Sequence, residues 1–133
     1  MSKYAFPAVF TPAKEGGYLV VFPDIPACFT EGDTVAEALE MANDVLCLML
    51  YDMEENGKKI PLPSDINKLE KSGDSFTSMI ACDTLEYRKF YDNKSVKKTL
   101  TIPSWLNSIA EKNNINFSSV LQEALMQKLH ILS

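Results

Sequence analysis

The chain has 133 residues, 46% of them apolar and 23% charged, with a formal net charge of −5. That length suits one domain with a small appendage, and that composition excludes a disordered chain. No apolar run approaches the roughly 18 residues of a membrane span, and the start lacks the charged-then-apolar pattern of an export signal.

Residues 4–12 alternate, with Tyr4, Phe6, Ala8 and Phe10 on one side, which is strand spacing; Pro7 within it points to an edge or a bulge. Gly16 and Gly17 permit the positive φ of a turn, so residues 18–22 return as the second strand of a hairpin. Pro23 and Pro26 bracket a stiff connection, and residues 27–30 read as a third strand. Thr34 and Glu37 have capping-box spacing and open a helix that runs to about Asn56. Its buried stripe is expected at Val35, Leu39, Ala42, Leu46, Met49 and Met53, with Glu37, Glu40 and Asp44 outside. Asn56 and Gly57 supply the stop, a proline-bearing exit follows, and residues 75–82 form a fourth strand.

Residues 84–94 mix charges and aromatics without a clean period and read as a partly helical connector. Beyond them residues 95–102 alternate again, Pro103 sits where a helix accepts proline at its first position, and Trp105, Leu106, Ile109 and Ala110 make a short amphipathic helix. Asn113 and Asn114 suit a left-handed turn, Asn116 caps a last helix, and Val120, Leu121, Ala124, Leu125 and Leu129 form its inner face. The expected class is therefore α+β: a βββαβ domain over 1–83, a connector over 84–94 and a βαα unit over 95–133. Up to Asn93 there are 8 basic residues against 16 acidic ones, whereas from Lys94 onward 5 lysines face 2 glutamates. The acidic front repels nucleic acid and the tail tolerates it.

The tail carries the functional expectation. A strand and two short helices in about forty residues bury too little surface to stand alone, and a lone strand leaves an open edge. Two copies pairing their strands resolve both problems. Val96, Leu100 and Ile102 then face the shared core together with Lys98, and Lys97, Thr99 and Thr101 face outward. A two-stranded ribbon fits the DNA major groove, where such side chains reach base edges. The opening of the last helix, Phe117, Ser118 and Ser119, offers amides and hydroxyls to a phosphate.

In the run Leu100-Thr101-Ile102-Pro103-Ser104-Trp105-Leu106, with the Asn-Ile-Asn turn and the Ser-Ser start of the last helix, the tail resembles the ribbon-helix-helix family. The resemblance implies base reading by Lys97, Thr99 and Thr101 and phosphate binding at Phe117, Ser118 and Ser119. No arginine or asparagine stands among the three readers, so mild discrimination is expected, with Lys97 the partner for guanine. The stretch from Gly17 to Thr34, followed by Ala36-Glu37-Ala38, resembles the HicB antitoxin family, whose front domain is similar to a degraded ribonuclease H. This second resemblance implies a type II antitoxin that binds a HicA-like toxin, a small basic ribonuclease, and represses its own operon through operator DNA. It also implies a homodimer through the tail and a higher oligomer with toxin. Asp24, Glu31 and Asp33 are the charges expected to face the toxin.

Catalysis is not expected. Two-metal phosphodiester cleavage needs clustered carboxylates, and residues 4–11 contain none. His130 is the only histidine, and Cys28, Cys47 and Cys82, odd in number and without C-x-x-C spacing, read as buried free thiols of a reducing cytoplasm. Neither a metal nor a cofactor is expected, nor contact with a membrane. The competing reading is a free-standing ribbon-helix-helix regulator whose front aromatics, Tyr4, Phe6, Phe10, Tyr18, Phe22 and Phe29, line a ligand-sensing pocket.

Overall fold

The computed structural model describes residues 2–131. The chain divides into two compact units, Met1–Lys94 and Ser95–Ser133.

The front unit is built on an antiparallel sheet of four strands, β1 (Lys3–Pro12), β2 (Tyr18–Val21), β3 (Phe29–Gly32) and β4 (Phe76–Asp83), in the order β3-β2-β1-β4. Gly16 and Gly17, at φ 98° and 79°, turn β1 into β2. Pro7 was expected at an edge or a bulge, yet β1 is a central strand. The missing donor is tolerated because β2 pairs only with residues 9–12 of β1, so Pro7 lies outside that ladder, opposite Met79 of β4. The third strand begins two residues later than expected. Ala27 holds a left-handed φ of 59°, and the Phe22 amide donates to the Cys28 carbonyl at 3.0 Å, which closes residues 22–28 into a loop. Phe22, Ile25 and Cys28 of that loop are buried in the core.

Helix α1 (Val35–Glu55) starts as its sequence predicts, with the Glu37 amide donating to the Thr34 hydroxyl at 3.1 Å. It ends at Asn56, followed by Gly57 at φ 65°. The core stripe differs from expectation. Ala38, Ala42, Leu46, Cys47 and Leu50 are buried, Met49 and Met53 pack beside them, and Val35 and Leu39 are exposed. Ala38 and Ala42 let the helix lie close to the sheet, and a Cβ at Gly32 would stand 2.5 Å from the Ala38 amide nitrogen. The sheet therefore selects the small-residue line of an apolar helix. After a short 3-10 turn at Ile66–Lys68, β4 returns against β1.

The stretch expected as a connector forms helix α2 (Thr84–Tyr91), whose first amides, Leu85 and Glu86, are capped by the Asp83 carboxylate at 3.0 and 3.3 Å. It packs on α1 through Tyr51 and Tyr87, ring centres 5.3 Å apart, and through Glu54. The half-buried Glu54 carboxylate accepts from the Tyr4 hydroxyl at 2.8 Å, the Thr84 hydroxyl at 2.9 Å and the Arg88 guanidinium at 3.0 Å. This network ties β1, α1 and α2 together, so residues 84–91 are an integral part of the front unit.

In the second unit, residues 95–102 carry no strand, contrary to expectation. An isolated chain offers this segment no partner edge, and Val96 is 82% exposed and Leu100 60%. Helix α3 (Ser104–Lys112) has Pro103 as its cap residue rather than at its first position. Asn114 makes the left-handed turn at φ 54°, and the Asn116 side chain caps α4 (Phe117–Lys128) by accepting from the Ser119 amide at 3.1 Å.

Candidate functional site

The second unit has secondary structure without a core. None of its described residues is buried, and Trp105, Ile109, Val120, Leu125 and Leu129 are all more than half exposed. The expected inner face of α4 is thus mostly uncovered within the unit, with Leu121 half-buried and Val120, Ala124, Leu125 and Leu129 exposed. Burying one such side chain stabilises by about 1.5–3 kcal/mol, so a stripe of them exposed is a large unsatisfied demand for a partner surface.

Lys97, Thr99 and Thr101 all lie in the exposed segment, without helix or strand, ahead of α3. At the start of α4 Phe117, Ser118 and Ser119 are exposed as well. Their amides are not equivalent, because Ser119 already donates to Asn116, which leaves those of Phe117 and Ser118 for an incoming anion. The four lysines against two glutamates from Ser95 onward give this unit the sign that suits one.

The three expected toxin-facing charges fall differently. Asp24 is half-buried, and its carboxylate accepts from the amide of Ser64 at 2.9 Å and from the hydroxyl of the same residue, so it ties down the exit from α1. Glu31 and Asp33 are exposed at the end of β3. The front aromatics are mostly structural. Phe6, Phe10 and Phe22 are fully buried, Phe10 stacks on Phe76 at 4.9 Å, and only Phe29 of the six expected residues stands well exposed.

Sequence reasoning missed a surface on α2. Phe90 and Tyr91 are 73% and 65% exposed, and Tyr91 lies beside Met41 and Leu48 of α1. The signal was present, since Tyr87, Phe90 and Tyr91 have i, i+3, i+4 spacing, but charges between them masked it in so short a segment.

Cys28, Cys47 and Cys82 are buried free thiols. Burial pushes Cys28 up to about 11, and a hydrogen bond with Cys47 together with burial raises Cys82. Among the described residues no group of three or more histidine, cysteine or acidic side chains is placed to hold a metal ion. No helix among them is long and apolar enough to cross a membrane.

Comparison with known proteins agrees with this arrangement. Residues 6–125 match the family model of the HicB-like antitoxin of bacterial toxin-antitoxin systems. The HicB antitoxin of Escherichia coli K12 is 50% identical over 62 residues, which are 47% of this chain and 45% of that protein; the chain thus matches about half the length of this curated relative. A toxin-antitoxin complex from Streptococcus pneumoniae contains a chain similar to this one with a TM-score of 0.62 and 31% identity, over 95% of this chain and 99% of that one. The Burkholderia pseudomallei antitoxin HicB shares the fold, with a TM-score of 0.55 at 17% identity over 95% of this chain and 98% of that one. An acidic sheet-and-helix unit joined to a coreless basic helical pair, matched along most of its length by one family model, places this chain in the HicB-like antitoxin family of bacterial toxin-antitoxin systems.

Proposed function

We propose that the chain is a non-catalytic, cytoplasmic type II antitoxin. Its front unit binds and neutralises a HicA-like, RNA-cleaving toxin, and its tail dimerises to grip operator DNA and repress the operon. The observation that carries this reading is a folded helical pair in which no described residue is buried, preceded by an exposed segment without helix or strand. Two copies solve both problems when residues 95–102 pair as an antiparallel ribbon and the four helices share a core, which is the ribbon-helix-helix arrangement. Lys97, Thr99 and Thr101 then read bases, while the openings of the two α4 helices, at Phe117 and Ser118 with the Ser119 hydroxyl, hold phosphates. The front unit, with the element order β1-β2-β3-α1-β4, is read as the reduced ribonuclease H-like domain of the family. The acidity of the front suits a basic toxin, because complementary fields speed encounter and orient docking. Glu31 and Asp33 are free to contribute, with Asp24 acting through the loop that it holds.

The neutralising role is tested by adding the chain to its toxin and following RNA cleavage. Saturating antitoxin should abolish cutting, and unchanged cleavage would exclude the role. For the DNA-binding role, Lys97→Ala should weaken operator binding by about 1–3 kcal/mol if the lysine contacts a base. Ser119→Ala should weaken all duplexes alike, as a phosphate contact requires.

A further inference from the structure

The side of α1 that turns away from the sheet is not the polar surface that its acidic residues suggest. Met41 and Leu48 are 39% and 51% exposed there and share a depression with Tyr91 of α2, which is 65% exposed; Phe90, 73% exposed, lines the neighbouring depression. Two adjoining open depressions of about 310 and 420 Å³ lie along these helices, and both are lined by Asp44, Tyr87 and Tyr91. Asp83 and Glu86 stand at the larger one. Neither depression is lined by a lysine or an arginine. The two cations of α2 are engaged with neighbouring acids: Arg88 is paired with Glu54 and Glu55, and Lys89 with Glu86 at 3.3 Å. Asp44 has no ion-pair partner among the described residues.

We propose that this α1–α2 groove is the docking site for a lysine- or arginine-bearing segment of the toxin. The proposal rests on the antitoxin reading above and assigns the toxin a specific surface of the front unit. An exposed aromatic floor of this extent is characteristic of an interface, and tyrosines are favoured anchors in one. The floor and its rim select the partner's charge. The Asp44 carboxylate, which has no ion-pair partner among the described residues, attracts a basic side chain, and tyrosine faces accept a guanidinium, as Tyr51 already does for Arg88 at 4.6 Å. A second copy of the chain would set Asp44, Asp83 and Glu86 against their own equivalents, and nucleic acid would bring phosphates to the same carboxylates. A basic protein segment is the occupant that the charges favour.

The test uses the full chain and, as probe, the HicA-like toxin encoded with it, in a variant that no longer cleaves RNA. Binding is measured by calorimetry for the wild type, Asp44→Lys, Asp44→Asn and Tyr91→Ala. Asp44→Lys and Tyr91→Ala should each raise the dissociation constant roughly tenfold or more, with a smaller rise for Asp44→Asn. Thermal unfolding and operator binding should stay at wild-type values, since both side chains are exposed. Met79→Ser, on the edge strand β4 and outside the lining of both depressions, should bind as the wild type does. Wild-type affinity in all groove variants would overturn the proposal while leaving the antitoxin reading in place. So would a smaller oligomer in sedimentation of the variants alone, which would assign the groove to a second copy. Failure of the wild-type chain itself to bind would remove both.

Discussion

Single residues set how closely the front unit packs. Gly32 has ordinary backbone angles, so its role is spatial: a Cβ there would lie 2.5 Å from the amide nitrogen of Ala38. Gly32→Ala should lower stability by about 1–3 kcal/mol in chemical denaturation, because the first turn of α1 must move off the sheet. Glu54 acts through charge. Burial alone would raise its carboxyl, but hydrogen bonds including those from Tyr4, Arg88 and Thr84 prevail and hold it at about 2, against an ordinary value of 4.5. A group depressed in the folded state stabilises above its unfolded value and loses that contribution as pH falls toward the folded one. The chain should therefore lose at most roughly 3 kcal/mol between pH 4.5 and 2 from this group. Glu54→Gln should lower stability at neutral pH and flatten that acid limb of a denaturation series.

At the scale of elements, turns and caps were legible in the sequence because each depends on a few neighbouring atoms. The Gly16–Gly17 turn, the Thr34 cap, the stop at Asn56 and Gly57, the left-handed Asn114 and the Asn116 cap all form as read. The buried line of α1 was only half legible. Alanine, leucine, methionine and valine occur around much of that helix, so two neighbouring stripes satisfy the same period, and close approach to Gly32 selects the line through Ala38 and Ala42. Helix α2 was obscured for the opposite reason. Its single buried residue is Thr84, a polar side chain whose value lies in the Glu54 network rather than in periodicity. Residues 95–102 show the limit of reading one chain, since a strand is defined by its partner.

At the scale of the whole molecule, charge is divided between an acidic front and a basic tail, the division that the proposed function assigns to a protein partner and to operator DNA. If the tail is completed only by a second copy, Leu100→Asp should turn a dimer into a monomer in sedimentation velocity and abolish operator binding, while the front unit stays folded. A variant still dimeric through its tail would contradict the ribbon. Operator affinity should also fall steeply as salt is added, because phosphate contacts release counterions. An affinity indifferent to salt would exclude phosphate contacts at the start of α4.

The sequence by itself determined the local geometry, the charge asymmetry and the insufficiency of the tail, because these follow from neighbouring residues and from how much apolar surface forty positions can bury. Tertiary structure alone decided which apolar line of α1 meets the sheet, that Asp24 is held by Ser64, and that α2 joins the front unit to frame an acidic aromatic groove. The last two outcomes depend on contacts between residues some 30 to 50 positions apart, Asp24 with Ser64 and Glu54 with Tyr4 and Arg88, whose proximity no local pattern encodes.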